Sequence, residues 1–328
     1  MNLSTLYQRV ALISPYIEIL LRQLYWRNVS ILGRYNPNKP KHDISDKTTE
    51  SVYFDDILQW LLSQGIQKGS LMVIHSSYDA LCCTGLSPEE IIDSLIGFVG
   101  ENGTIAMPAI RKFKGAKTDP WEDSDEKEYI YNVHKSAVIS GFLPFTLMRR
   151  EGSVISRHPL NPMVGFGPLA KKMMAHNIEG ESPSPHGPNS SWKYCYDHDA
   201  WVIGLGVDLG HYNTIAHVAE EAFDDWRWTD EEWYRMRKFK VIDNDFSQDI
   251  MVKERKPQWG MLHDAEINAY QEILKNGIVK RIIFGDNLVV CVEKARELID
   301  YLRTKNKKGH PYYVLSDLIR INHKGGFY

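Results

Sequence analysis

Two successive helix-to-strand cycles near the front of the chain constrain its fold more than any other feature. Residues 55–62, Asp-Asp-Ile-Leu-Gln-Trp-Leu-Leu, have apolar side chains at helical spacing; Gly65 and Gly69 supply turns, and Leu71-Met-Val-Ile74 has the uninterrupted apolar run of a buried strand. The cycle then repeats. Ser87-Pro-Glu-Glu sets a capping hydroxyl, a proline and two carboxylates at a helix start, Ile91 to Val99 continue the helix, Gly100 to Gly103 end it, and Thr104-Ile-Ala-Met107 forms the next strand. Helix and strand alternating through short loops predict an α/β sheet with helices on its faces.

Around these cycles the pattern predicts further elements. Residues 137–149 read as a helix despite Gly141 and Pro144, residues 280–284 as a strand or the end of a helix, and residues 288–302 as a late helix. The front differs: residues 10–21 are apolar but include Pro15 and Glu18, which suits a helix pair broken near the proline, with Arg9, Arg22, Arg27 and Arg34 as its basic component. That run is too short to span a bilayer and has no cleavage signature, so helix packing on the domain or on a second subunit is expected in preference to membrane contact. The polar, proline-containing residues 36–49 mark a linker, which divides the chain into a helical extension and linker at 1–50 and a main domain at 51–328.

Composition removes several classes of function. A net charge of −3 gives no overall basic field for nucleic acid, so a small ligand is the better expectation. Cys82, Cys83, Cys195 and Cys291 have neither zinc spacing nor a disulfide framework, which fits a reducing cytoplasm. There is no Walker loop, no Gly-x-Ser-x-Gly elbow and no His-Glu-x-x-His pair. Gly204-x-Gly206-x-x-x-Gly210 departs from the dinucleotide fingerprint by one position, and no metal is expected, because His211, His217 and Glu220 lack further ligands at diagnostic spacing.

The chemistry-bearing residues fall in four places. If the segment after Asn213 is helical, His217 and Glu220 share a face, where a carboxylate can fix the imidazole tautomer and raise its basicity; a surface or capping pair has the same spacing. His75-Ser76-Ser77 follows the first strand and so sits at the carboxyl edge of the sheet, where open α/β folds bind ligands, although a capped strand end looks the same. Residues 156–162 and 182–188, rich in proline, histidine and serine, read as loops that shape a site or merely connect. The acidic residues between Glu220 and Glu232, interleaved with Trp226, Trp228 and Trp233, suit either a cationic or sugar-like ligand or a solvated helix with its tryptophans turned inward.

Taken in order, residues 71–77, 100–108, Ser156-Arg-His-Pro159 with Gly165, Ser182-Pro-Ser-Pro185, and 202–207 leading to Asn213-Thr-Ile-Ala-His-Val-Ala-Glu220 resemble the aminoglycoside 3-N-acetyltransferases, the antibiotic N-acetyltransferase family, over roughly residues 54–300. The resemblance implies a two-lobed α/β fold with a central mixed sheet, and transfer of acetyl from acetyl-CoA to an amine of an aminoglycoside or amino sugar, nucleotide-linked ones included. It implies His217 as the catalytic histidine with Glu220 one turn on. It also implies His75, Ser76, Ser77, Met107, Arg157, His158 and Thr214 along the CoA cleft, with Glu254 as a further acidic candidate. The first fifty residues have no counterpart in compact members, which leaves a homodimer through that segment open. A cysteine-dependent hydrolase or a non-catalytic CoA- or sugar-binding relative is the competing reading.

Overall fold

Alternate residues of the first strand face two different cores. The computed structural model describes residues 3–32, 50–113, 128–208, 213–228 and 233–315. Its strands are β1 (Leu71–Ser76), β2 (Thr104–Pro108), β3 (Arg111–Lys112), β4 (Glu128–Asn132), β5 (Ala137–Val138), β6 (Val154–Ile155), β7 (Met163–Phe166), β8 (Trp201–Leu205), β9 (Tyr234–Asp243), β10 (Phe246–Arg255), β11 (Val279–Phe284) and β12 (Leu288–Lys294). Met72 and Ile74 join Ile105, Met107, Ile203 and Leu205 in one core, whereas Leu71 and Val73 join Ala106, Val202 and Cys291 in the other. Each such side chain contributes about 1.5–3 kcal/mol on burial, so a one-residue slip of register would be resisted on both faces at once.

Among the described residues these strands form a seven-stranded sheet ordered β11-β12-β8-β1-β2-β7-β6. Its centre, β8-β1-β2, is parallel, and antiparallel pairs close both flanks. Helices Phe54–Ser63 and Pro88–Val99 cover one face, while Ser191–Asp197 and Ala295–Asn306 cover the other. The expected capping box is present: Glu90 N–H donates to Ser87 Oγ at 3.2 Å and Ser87 N–H to Glu90 Oε2 at 2.7 Å. A smaller sheet, β10-β9-β4, packs Tyr131, Phe239 and Val252 into the first core. The predicted α/β architecture with a central mixed sheet is therefore observed.

Three expected helices are shorter than predicted. Residues 137–149 begin as strand β5, and only Phe142–Arg149 is helical, because Gly141 takes φ +106 and breaks the run. Residues 280–284 belong to strand β11; residues 288–302 divide into strand β12 and helix Ala295–Asn306, since Leu288-Val-Val-Cys-Val is a branched apolar run that returns antiparallel along β11. After Glu220 the helix stops at Glu221 instead of continuing through Asp224 and Asp225. Trp226 and Trp233 turn inward with Tyr234 and Tyr312, and Trp233 stacks on Trp259 with ring centroids 4.1 Å apart. Asp230, Glu231 and Glu232 lie outside the described residues.

At the front, helices Leu3–Ala11 and Pro15–Trp26 meet at the proline, which opens the second helix behind Ser14. This pair docks on its own chain. Glu18 is fully buried and accepts the backbone N–H groups of Ile267 and Asn268 at 2.9 and 3.0 Å, capping helix Glu266–Lys275. Arg22, expected on a basic face, turns inward to donate to Glu18 at 3.1 Å and Glu266 at 2.6 Å. Arg34 and the linker at 36–49 lie outside the described residues.

Candidate active site

Parallel neighbours β1 and β8 end side by side, and the segment after β8 brings His217 to that edge. Gly206 makes the exit possible: its φ is +70, and a Cβ there would stand 2.7 Å from the Ala80 Cβ. The glycine of the Gly204-x-Gly206 motif thus serves a tight turn against a neighbouring helix; Gly210 and His211 lie outside the described residues. A 3-10 turn, Asn213–His217, then runs into the short helix Val218–Glu221. Helical geometry at this junction sets His217 and Glu220 on one face, with His217 Nδ1 3.2 Å from Glu220 Oε2.

A third residue completes the group. Arg255, at the end of β10, donates through Nη1 to Glu220 Oε2 at 3.1 Å, and its Nη2 lies 3.1 Å from His217 Nε2. A guanidinium has only N–H groups to offer, so Nε2 must present its lone pair and Nδ1 must carry the proton toward Glu220. His217 is thereby held as one neutral tautomer. Burial pushes its pKa below the ordinary histidine value, and the Arg255 charge pushes it further the same way, against the pull of Glu220. Burial alone would raise the Glu220 carboxyl, yet Arg255 and His217 bring it down to about 2. Neutral imidazole and ionised carboxylate are the states a proton acceptor and its orienting partner need at neutral pH.

One cavity is lined by this group, and a second shares Thr214 with it. The larger, of about 590 Å³, is lined by His217, Glu220, Arg255 and Asp264, and by Arg22 and Trp26 from the front helix. The smaller, of about 160 Å³, lies at the end of β1 against His75, Ser76, Pro108 and Ser140. Thr214 lines both. The larger volume is that of a typical small-molecule site, and the smaller admits only something slender.

The candidate cleft residues separate on this map. His75 and Ser76 line the small cavity, with His75 buried beside Trp192 and its pKa lowered to about 3 by that burial. Ser77 donates its backbone N–H to Leu205 O at 3.0 Å, so this amide is committed to the strand ends. Met107 is fully buried in the first core and lines neither cavity, whereas its neighbour Pro108 does. Arg157 pairs with Asp243 at 2.7 Å and covers the Phe246 ring, which puts it beside the β9-β10 turn. His158 is a loop staple: its Nδ1 lies 2.8 Å from Leu160 O and 3.2 Å from Leu160 N, and its Nε2 lies 3.3 Å from Pro183 O. Glu254 pairs with Arg235 and Arg237, apart from His217. Cys82 is exposed, Cys83 points its thiol at Ala80 O, and neither lines these cavities.

Sequence reasoning missed Arg255, His186, Asp264, Arg22 and Trp26. His186 belongs to the loop at 182–188; its ring centre lies 5.1 Å from that of His217 and its N–H donates to Glu221 Oε2 at 3.0 Å. That loop therefore packs against the group as well as connecting helices Ala170–Met174 and Ser191–Asp197. No group of three or more His, Cys, Asp or Glu among the described residues could hold a metal ion, and no described helix is long and apolar enough to cross a membrane.

Comparison with known proteins shows the family and the fold. Residues 73–305 match the family described as aminoglycoside 3-N-acetyltransferase. Aminoglycoside N(3)-acetyltransferase IX of Micromonospora chalcea is 28% identical over 177 residues, which is 50% of this chain and 60% of that protein. The chain spans 57–60% of the length of this relative and of two others, from Salmonella sp and Streptomyces paromomycinus. Among solved structures, aminoglycoside acetyltransferase AAC(3)-Xa superposes with a TM-score of 0.63 at 19% identity, covering 80% of this chain and 94% of that one. AAC-IIIb in binary complex with CoASH gives 0.61 at 19%, covering 79% and 97%. At these identities the solved structures establish a shared fold.

Proposed function

This chain belongs to the aminoglycoside 3-N-acetyltransferase family, and from that premise we propose that it moves an acetyl group from acetyl-CoA to an amine of an amino sugar or aminoglycoside by direct transfer. The observation that carries the reading is the His217–Glu220 contact beside a cavity that shares the wall residue Thr214 with a second, narrower one. The narrow cavity at the end of β1 suits the slender thioester end of acetyl-CoA, and the wider one suits the acceptor. Binding of CoASH by the similarly folded AAC-IIIb supports the donor.

His217 is the general base in this proposal. The acceptor nitrogen attacks the thioester carbonyl carbon, its proton passes to His217 Nε2, and Nδ1–H stays on Glu220. The C–N bond forms, the C–S bond breaks, and the proton held on His217 returns to the departing thiolate, giving the amide and free CoA. Glu220 is a positioning residue, since it touches the base and not the reactants. With the Ser77 amide committed, the Thr214 hydroxyl is the better donor for charge developing on the carbonyl oxygen. His75 and Ser76 would border the thioester; Met107 and His158 would act one layer behind, and Arg157 from the β9-β10 turn.

Release of free thiol from acetyl-CoA, measured with aminoglycosides and free or nucleotide-linked amino sugars against His217→Ala as control, tests the proposal. Acceptor-dependent release lost in the variant supports it; a stable acetyl group on Cys82 or Cys83 would overturn direct transfer. Two further parts of the reading have their own tests. A homodimer through residues 1–50 would use the exposed Leu12, Ile13 and Tyr16, and deleting residues 1–45 should then halve the solution mass. Residues 51–328 are proposed as the catalytic domain, with Arg22 and Trp26 of the front helix completing the cavity wall, acting in the cytoplasm.

A further inference from the structure

Helix Pro15–Trp26 lies outside residues 73–305, over which the chain matches its family, yet its Arg22 and Trp26 line the same cavity as His217. The two are four residues apart and so share one face of the helix. That face is fixed in place. Glu18, one turn before Arg22, is fully buried and accepts the backbone N–H groups of Ile267 and Asn268, which makes the helix a wall of the cavity and not a loose arm. Trp26 ends the helix half-buried, with the Tyr25 ring inclined at 79° to its indole and 5.1 Å away between centroids.

The charges behind this wall suit a cation. Arg22 donates to Glu18 at 3.1 Å and to Glu266 at 2.6 Å, so two carboxylates share one guanidinium. Glu266 also accepts the Tyr270 hydroxyl at 3.1 Å, but its side chain remains 35% exposed and lines the cavity, and a carboxylate has about four lone-pair sites. An ammonium group therefore meets a carboxylate with acceptor capacity to spare, and an indole one helical turn from the guanidinium that this carboxylate holds. His217 belongs to a separate group, with Glu220 and Arg255. Asp264 joins the two groups electrostatically, since it interacts with both Arg22 and Arg255. One cavity thus presents two polar groups, and its volume of about 590 Å³ exceeds that of a single sugar ring.

We infer that the front helix is the acceptor-selecting wall of the site: Trp26 and Glu266 hold a second, ammonium-bearing ring of the acceptor while His217 acts on the amine of the first. The inference rests on the acetyl-transfer reading and adds a specificity residue to it. Trp26 touches no reacting atom, so its loss acts on acceptor affinity and largely spares the chemical step.

The test separates binding from turnover. Calorimetric titration of the full chain with glucosamine, 2-deoxystreptamine, neamine and kanamycin compares one-ring with multi-ring amines in the absence of acetyl-CoA, and thiol release with the same compounds measures transfer. Trp26→Ala should weaken binding of the multi-ring amines about tenfold and raise their KM by a similar factor, the worth of one aromatic platform under a cationic ring. The one-ring amines, the acetyl-CoA KM and kcat should stay within about twofold, and Trp26→Phe should recover part of the multi-ring affinity. Equal losses for one-ring and multi-ring amines, or a parallel rise in the acetyl-CoA KM, would show that Trp26 merely holds the helix in place and would overturn the inference. Unchanged multi-ring affinity in Trp26→Ala, or no binding of any of the four compounds, overturns it as well. Multi-ring binding that depends on Trp26 with no thiol release from any compound would leave the binding role standing and bring down the acetyl-transfer reading instead.

Discussion

Glu18 accepts the side-chain amide of Asn268 at 2.7 Å and its backbone N–H at 3.0 Å, a pairing between residues 250 positions apart. One carboxylate thus caps a helix, holds Arg22 and ties the front of the chain to the wall of the large cavity. Glu18→Ala would uncap helix Glu266–Lys275 and leave a buried guanidinium short of a partner, so destabilisation of about 3 kcal/mol is expected. Because Arg22 and Trp26 line the cavity, acceptor KM should rise more than kcat falls. Urea unfolding and steady-state thiol release together check both.

His217→Ala should lower kcat by about 10²–10⁴, the usual worth of a positioned base. Glu220→Gln keeps the shape but loses the charge that fixes the tautomer. It should lower kcat by about tenfold or more with a smaller change in acceptor affinity. A Glu220→Gln enzyme of undiminished kcat would remove the orienting role.

The acid limb of kcat/KM should lie below pH 6.5, the ordinary histidine value, because burial and then Arg255 hold the His217 pKa down and keep the imidazole neutral further into acid. Removing the guanidinium charge with Arg255→Gln should raise that pKa and move the acid limb to higher pH. A profile that stays in place would show that Arg255 does not act on the base.

Glu293 in β12 is buried with both carboxyl oxygens lacking partners among the described residues, and burial pushes its pKa up to about 8. The folded state then keeps a proton that the unfolded chain gives up near pH 4.3, so stability is full below that pH and declines as pH rises toward 8, by at most about 1.4 kcal/mol per pH unit. Glu293→Gln cannot ionise and should lose this slope. Unfolding free energies at pH 5, 6, 7 and 8 for both proteins would reveal it.

The sheet and the His217–Glu220 contact were legible in the sequence for different reasons. Leu71-Met-Val-Ile74 and Thr104-Ile-Ala-Met107 are continuous apolar runs between turn signals, and His217-x-x-Glu220 is a local spacing that any helical turn converts into contact. Arg255 was not legible: its contact with His217 spans 38 positions and depends on where the β9-β10 hairpin ends, which no local pattern encodes. Strand β12 was misread because Leu288 to Lys294 meets a following amphipathic helix without a break, so one window carries both periods. Arg22 looked like a surface charge because the burial of its partner Glu18 and its contact with half-buried Glu266 come only from tertiary packing.

The nearly parallel rings of Trp233 and Trp259, 4.1 Å apart and inclined by 6°, join the residue just before the β9-β10 hairpin to the helix just after it. Two indoles that close share their excited state, so the pair should give a split circular-dichroism band and quenched emission. Arg255 lies at the end of the intervening hairpin. Any movement of that hairpin on ligand binding would be carried to the indoles, giving the protein an optical signal of site occupancy that needs no attached dye.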